Sequence, residues 1–245
     1  GAKRVEDGHK ESFNLQYIAI GNSNYDELYW RNFDVIYKAI QEKYPEIKVT
    51  TYIDSDTSAE KTDEIRLNAN GFYNNVIVEE NACVKGGKLF GMANYFDEYE
   101  RSGAQIAVNK YSVDTSVGDT LTKNNIWSAI ENAAFLTGVE KNADLVRMVS
   151  YETPIAKINA QIKDTSLIWF DSQSVVMTPD YYMQMLFANN MGTNYVSLDD
   201  SFNEEGIYRS VTVDVNKKVI YVKLVNSTKT PYKININLDG FVNVN

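Results

Sequence analysis

Short apolar runs alternate with longer segments of helical spacing through the first three quarters of the chain. The short runs are rich in β-branched and aromatic residues, which is typical of buried strands. They lie at residues 15–22, 47–53, 75–81, 104–112 and 143–152. Because strands that alternate with helices favour a parallel sheet, the pattern predicts five βα units built on such a sheet.

The segments between the first three strands differ in character. From residue 26 to residue 43, apolar side chains recur at helical spacing, and Pro45 ends the predicted helix. Residues 54–71 are mostly polar, so they predict a loop or a helix with little core contact.

Three further helices are predicted along the chain. Residues 88–103 have helical spacing and finish in a glycine, which favours a C-cap. The clearest helix begins at Ile126, because small residues on one face permit close packing. The last covers residues 178–192, with Thr178 as the N-cap and Pro179 at the first helical position.

The pattern changes to strict alternation near the end of the chain, and alternation is typical of half-buried antiparallel strands. The alternating apolar positions are Val211, Val213 and Val215, then Ile220, Val222 and Leu224, then Ile234, Ile236 and Leu238. The sequence therefore predicts a barrel-like domain over residues 1–195 and a β-sandwich segment over residues 196–245.

The number of βα units limits the fold. A closed barrel of parallel strands needs eight units and about 250 residues. Five units in the first domain are too few, so the predicted fold class is α/β: a partial (β/α)8 TIM-type barrel followed by an antiparallel β-sandwich segment.

Composition excludes several classes of function. The net charge of -9 and the pI of about 4.8 disfavour nucleic acid and anionic membranes as partners. The only cysteine, Cys83, allows neither an intrachain disulfide nor a cysteine metal cluster, and it is expected to be buried as a small hydrophobe. The only histidine, His9, lies in a polar segment with nothing around it that suggests a catalytic triad.

No cofactor, metal ion or membrane anchor is expected. The acidic pairs at 54–56 and 199–200 lack the spacing of a calcium loop, and they are interpreted as solvated loop charges. No apolar run approaches the roughly 18 residues of a membrane span. The sequence thus predicts a soluble protein and leaves the cytoplasm and secretion open as compartments.

Several ordered blocks of the sequence resemble the α-L-arabinofuranosidases of glycoside hydrolase family 51. The most specific block is AAFLTGVEKNADLV at residues 133–146, and others lie at 4–22 and 166–192. The similarity runs from about Lys3 to the end of the chain. It implies a (β/α)8 barrel followed by a β-sandwich, with this chain starting just before the fourth barrel strand.

A half-barrel has two open sheet edges and an apolar inner face. The resemblance therefore predicts association, either with a second copy of the chain or with a complementary N-terminal barrel half. It also implies an arabinose-containing glycan as the carbohydrate partner.

The resemblance also implies a mechanism and shows where this chain departs from it. The family retains anomeric configuration with two carboxyl groups about 5–5.5 Å apart. Its acid follows a Gly-Asn pair at the end of the fourth strand, where this chain keeps Asn22 and then has Ser23. Its nucleophile precedes a tyrosine near the end of the seventh strand, where this chain has Lys110 before Tyr111. Neither a serine hydroxyl nor a lysine ammonium can replace these carboxyl groups.

A third family motif, which lines the sugar pocket, aligns with Glu79, Glu80 and Asn81. Adjacent strand residues face opposite sides, so at most one of the two glutamates is expected to reach a pocket. Lys110 could form a Schiff base, but pairing with Glu79 or Glu80, or simple solvation, is the better interpretation. The residues predicted to bind substrate are Asn22, Glu79, Glu80, Asn81, Tyr111 and Trp169.

Two functions remain open from the sequence. The first is an arabinofuranosidase-like protein without catalytic activity. The second is an active retaining hydrolase whose site is completed by an N-terminal half or by other carboxylates.

Overall fold

The computed structural model describes residues 2–11, 13–21, 27–53, 58–114, 124–158, 165–199, 202 and 204–238. Its centre is a five-stranded sheet in which every neighbouring pair is parallel. The strands follow chain order and are β1 (Tyr17–Ile20), β2 (Lys48–Thr51), β3 (Val76–Lys85), β4 (Gln105–Asp114) and β5 (Val146–Tyr151). All five predicted strands are therefore confirmed.

The described helices are α1 (Ala2–Glu6), α2 (Glu27–Lys43), α3 (Ala59–Phe72), α4 (Lys88–Gly91), α5 (Ile126–Lys141) and α6 (Pro179–Asn189). α2, α5 and α6 match the predicted helices. Asn125 caps α5 by accepting the amides of Trp127 and Ser128, and Thr178 caps α6 as predicted. None of the helices in the described part of the chain is long and apolar enough to cross a membrane.

The prediction of little core contact for residues 54–71 is wrong for the part that the structure describes. Thr62, Ile65, Arg66 and Ala69 are buried, and their spacing is that of one helix face. Because a threonine and an arginine occupy two of these buried positions, the segment lacks the apolar periodicity from which a buried helix face is predicted.

The prediction of one helix over residues 88–103 is also wrong. α4 ends at Gly91, a single 3-10 turn follows at Met92–Asn94, and turns continue from there. Side-chain donors replace helical hydrogen bonds here. Arg101, in the same segment, donates to the carbonyl of Phe96 at 3.3 Å, and Arg66 of α3 donates to that of Glu100 at 3.1 Å.

A small sheet follows the barrel strands and was not predicted. It contains β6 (Ile155–Lys157), β7 (Ile168–Phe170) and β8 (Val175–Met177), with β7 in the centre. Strands of three residues are too short to show a period, so the sequence pattern could not reveal them.

The antiparallel sheet contains β9 (Asn194–Tyr195), β10 (Ile207–Asp214) and β11 (Val219–Asn226), with β10 in the centre. β10 and β11 form the predicted hairpin. A third strand predicted at 234–238 is wrong, since residues 231–238 have no ladder partner in the described part of the chain. Alternation shows which face a residue takes but does not supply a neighbouring strand.

α5 is the centre of the larger hydrophobic core. Eleven of its residues are buried, and it contacts α4, α6, β4, β10, β11 and the 3-10 turn. Gly138 permits the closest approach, because a Cβ on this residue would overlap the carbonyl oxygen of Ala93 in the 3-10 turn. Glu140 links the helix to the hairpin by accepting hydrogen bonds from Ser210 and Lys223.

Candidate functional site

The carboxyl ends of parallel strands meet at one edge of a sheet, and the predicted site residues lie along that edge. The Tyr29 hydroxyl links the carboxyl ends of β1 and β2. It donates a hydrogen bond to the Ile20 carbonyl at 2.8 Å and accepts one from the Tyr52 amide at 2.7 Å. Asn22 and Ser23 follow β1 in the sequence and lie outside the described residues. The assignment of Ser23 to the acid position therefore stays a prediction.

The two adjacent glutamates of β3 face opposite sides of the sheet. The Glu79 carboxylate accepts a hydrogen bond from Asn109 Nδ2 on β4 at 2.6 Å and is 2% exposed. Burial raises the pKa of Glu79, while the Asn109 hydrogen bond and the nearby Lys110 ammonium oppose that shift. Glu79 is thus held beside Asn109 of the neighbouring strand and within electrostatic reach of Lys110.

Glu80 lies in the protein core instead. One of its oxygens accepts hydrogen bonds from Tyr95 at 2.7 Å and Tyr99 at 3.0 Å, both from the turns that follow α4. Burial raises the pKa of Glu80, and the hydrogen bonds from Tyr95 and Tyr99 and the positive charge of Arg66 oppose that shift. These contacts place Glu80 away from Lys110 and give it a structural environment.

Lys110 lies where β4 changes register against both of its neighbours. Asn81 of β3 is its register partner, so the two residues lie side by side at the strand ends. The Lys110 ammonium is 3.6 Å from Glu152 Oε1, and about a third of each side chain is exposed. The interpretation that Lys110 pairs with Glu79 or Glu80, or is only solvated, is therefore corrected: its ion pair is with Glu152.

Glu152 was missed as a site residue. It directly follows β5, the strand beside β4, so its place at the sheet edge follows from the topology. The signal was present in the sequence, because a carboxylate directly after the last strand-like run is a candidate for the same edge. Without the order of the strands, nothing distinguished it from the other acidic residues.

Cys83 also belongs to this edge. Its sulfur lies 3.6 Å from the Ser112 hydroxyl and 3.9 Å from Glu152 Oε2. The prediction that Cys83 is buried is wrong, since the residue is exposed. Alternation along β3 explains the exposure, because the buried Glu80 and Ala82 take the core face and leave Cys83 on the opposite face.

Tyr111 and Trp169 are held by the core and its border. Tyr111 is 1% exposed and packs against Phe135 and Tyr151, and its burial raises its pKa well above the ordinary value. The indole of Trp169 on β7 donates to Asn124 Oδ1 at 2.8 Å. Tyr111 is thus turned into the core, and the predicted role of Trp169 in binding stays a prediction.

Asp180 explains the position of Trp169. This aspartate is fully buried in the first turn of α6 and accepts hydrogen bonds from Asn124, Ser128 and Asn132 at 2.9–3.1 Å. Burial raises the pKa of Asp180, and the three donors oppose the shift. The network joins α5, α6 and the segment before α5, which is a structural role.

A groove of about 1290 Å³ lies elsewhere, between the C-terminal half of α5, the 3-10 turn and the β9–β10 region. It contains neither Glu79 nor Lys110, so we base the site on the strand ends. In the described ranges, no group of three or more histidine, cysteine or acidic residues could hold a metal ion.

The strand-end group is defined by Glu79, Asn109, Lys110 and Glu152. It offers carboxylate acceptors, an ammonium donor and an amide, which suits hydroxyl groups of a polar ligand. The assignment of Lys110 to the position of the family nucleophile stays a prediction, like that of Ser23 to the acid position.

Two family patterns match the chain. The pattern described as "Alpha-L-arabinofuranosidase 1 domain" matches residues 1–102. The pattern described as "Alpha-L-arabinofuranosidase C-terminal domain" matches residues 97–245, which is more than half of the chain. Together they support the resemblance seen in the sequence blocks.

Curated proteins of the same kind are similar over most of the chain. "Alpha-L-arabinofuranosidase 1" of Arabidopsis thaliana is 31% identical, covering 92% of this chain and 32% of the relative. The "Extracellular exo-alpha-L-arabinofuranosidase" of Streptomyces chartreusis is 28% identical, covering 80% of this chain and 23% of the relative. The chain thus spans about a third or less of the length of these relatives.

Solved structures support the fold. The arabinose-bound MgGH51 α-L-arabinofuranosidase has a TM-score of 0.74 and 23% identity, covering 92% of this chain and 36% of that chain. The arabinose complex of the Thermotoga maritima enzyme has a TM-score of 0.68 and 16% identity, covering 92% and 54%. The predicted fold class, a partial barrel followed by an antiparallel sheet, is confirmed by this likeness and by the strand order.

Proposed function

The chain belongs to the α-L-arabinofuranosidase family, and from this premise we propose that it binds arabinose-containing glycans without carrying out the family's hydrolysis. The observation that carries the proposal is the ion pair between Lys110 and Glu152. It supports the proposal because Lys110 is the residue that the resemblance assigns to the position of the family nucleophile.

Charge is the reason that the family's reaction should fail here. The transition state of glycoside hydrolysis resembles an oxocarbenium ion, and a carboxylate stabilises its positive charge. An ammonium at the same place opposes that charge, and losing such stabilisation costs several kcal/mol. Ser23 adds a second loss, because its hydroxyl cannot protonate the leaving oxygen.

Binding of a neutral sugar makes smaller demands. Sugar hydroxyls both donate and accept, and the strand-end group supplies partners of both kinds. Two of the solved structures with a similar fold are described as complexes with arabinose, which supports arabinose as the first ligand to try.

We expect L-arabinose to shift the NMR resonances of Asn109 and Lys110, and we expect no release of the aryl group from an aryl α-L-arabinofuranoside. Lys110→Met should weaken binding about tenfold, because it removes a charged donor worth roughly 1.5 kcal/mol. Lys38→Met is the matched control, since Lys38 pairs with Asp34 on the exposed side of α2.

The double variant Ser23→Glu/Lys110→Glu tests the alignment. If it gains hydrolysis while the natural chain has none, the site is intact and only the carboxyl groups were exchanged. Hydrolysis by the natural chain that Glu79→Gln abolishes would contradict the proposal and favour the alternative, an enzyme that uses other carboxylates.

We also propose that a second polypeptide completes the open sheet. Within the described residues, β1 pairs only with β2 and β5 only with β4, and such unpaired edges favour association. Large apolar side chains are also exposed on two helices, namely Leu28, Val35 and Ile36 on α2 and Tyr182, Met185 and Leu186 on α6.

Light scattering during size exclusion tests this association. We expect a mass above the 27.8 kDa of one chain, or a complex when a separate polypeptide with three N-terminal βα units of a family member is added. A chain that remains monomeric at every concentration and ignores the added units would contradict the proposal.

A further inference from the structure

Lys110 stands between two carboxylates that belong to neighbouring strands. Glu152, after β5, is in ion-pair contact at 3.6 Å. Glu79, on β3, influences Lys110 electrostatically but makes no ion-pair contact with it among the described residues. The lysine has thus one near partner and one competing partner on opposite sides.

The Glu79 carboxylate is only partly engaged. Asn109 holds Oε1 at 2.6 Å, and among the described residues no other group hydrogen-bonds this carboxylate. A carboxylate can accept several hydrogen bonds, so Glu79 retains capacity for a further donor. Either a ligand hydroxyl or the Lys110 ammonium could take that place.

We infer that Glu152 is a positioning residue of the site, which draws the Lys110 ammonium toward β5 and thereby keeps Glu79 available to a hydroxyl group of a bound sugar. The sugar is the ligand of the proposed function, and the inference rests on it to that extent. The competition between the two carboxylates for Lys110 needs no ligand.

The geometry of Glu152 supports this role. Its two oxygens face different neighbours, with Oε1 toward Lys110 and Oε2 toward the Cys83 sulfur at 3.9 Å. Without the Glu152 charge, Glu79 is the carboxylate left to attract Lys110. Because Glu79 is 2% exposed, water would screen that attraction less than it screens the present pair.

Glu152→Gln keeps the shape of the side chain and removes its charge. We expect the pKa of Glu79, followed by carboxyl ¹³C NMR in the full chain, to fall by about one unit as the ammonium approaches it. L-arabinose should bind at least threefold more weakly in the same variant. Glu64→Gln is the control, since Glu64 forms an exposed pair with Lys61 on α3 and the substitution changes the net charge equally.

Removing a negative charge lowers a neighbouring carboxyl pKa even when nothing moves, so a double-mutant cycle is needed. In a Lys110→Met background, Glu152→Gln should shift the Glu79 pKa by less than half of its effect in the natural chain. A purely structural role for Glu152 would not create this dependence on Lys110. Glu152→Asp, which keeps the charge on a shorter side chain, should give an intermediate shift and serves if Glu152→Gln fails to fold.

The outcomes separate the two proposals. Equal pKa shifts with and without Lys110, or no shift in either variant of Glu152, would overturn the positioning role whatever the sugar does. A shift that depends on Lys110 together with no arabinose binding by the natural chain would uphold the positioning role and refute the proposed function.

Discussion

Gly138→Ala is expected to lower the free energy of unfolding by about 2–3 kcal/mol, although alanine normally favours a helix over glycine by about 1 kcal/mol. A Cβ at this position would overlap the Ala93 carbonyl oxygen and would lie 2.7 Å from the carbonyl carbon. Both groups are backbone, so neither can turn aside as a flexible side chain could. α5 would have to move away from the 3-10 turn, and the packing of Phe96 against Phe135 would loosen.

Urea denaturation followed by far-UV circular dichroism measures this loss. Gly71→Ala in α3 is the matched control, since no atom lies within 4 Å of the added Cβ. The control should be neutral or stabilise by up to about 1 kcal/mol. If both substitutions had the same effect, the close approach of α5 to the 3-10 turn would not exist in solution.

Arg66→Met should lower the free energy of unfolding by about 3–5 kcal/mol. The guanidinium is fully buried, donates to the Ala104 and Glu100 carbonyls at 2.8 and 3.1 Å, and pairs with Asp63. Methionine fills a similar volume but leaves these acceptors without their donor. The substitution would remove the hydrogen bonds that connect α3 to the start of β4 and to the turns after α4.

The control for this substitution is Arg31→Met on the exposed side of α2. It removes the same charge without breaking a buried contact, so a change within about 0.5 kcal/mol is expected. The positive charge of Arg66 also opposes the rise in the Glu80 pKa that burial causes. The pKa of Glu80 should therefore rise further in the Arg66 variant, and carboxyl NMR can follow this change. An unchanged stability would mean that water already satisfies the acceptors around Arg66.

The sequence predicted the parallel sheet well because each strand is an apolar run bounded by polar residues. It failed on α3, where Thr62 and Arg66 lie on the buried face and the Arg66 guanidinium donates to the Ala104 carbonyl, which is far away in the chain. It also failed after α4, where Arg66 and Arg101 bond the carbonyls that a helix would have used. In both cases a hydrogen bond from Arg66 to a residue distant in sequence contributes to the local structure.

The sequence likewise predicted one part of the candidate site and missed another. That only one of Glu79 and Glu80 could face the site followed from the alternation of a strand, and the structure places Glu79 beside Asn109. The partner of Lys110 did not follow, because Glu152 becomes a neighbour only once β4 and β5 pair. Tyr111 follows Lys110 directly, yet it packs into the core with Phe135.

α5 contacts the sheet, two other helices, the 3-10 turn and the hairpin, and eleven of its 16 residues are buried, so most substitutions in this helix would disturb a packed neighbour. The strand ends have fewer such neighbours, as the exposed thirds of Lys110 and Glu152 show. We therefore expect substitutions to accumulate more slowly in α5 than at the strand ends. A protein can in this way keep its similarity to a family in a packed helix while the residues at its strand ends change in function.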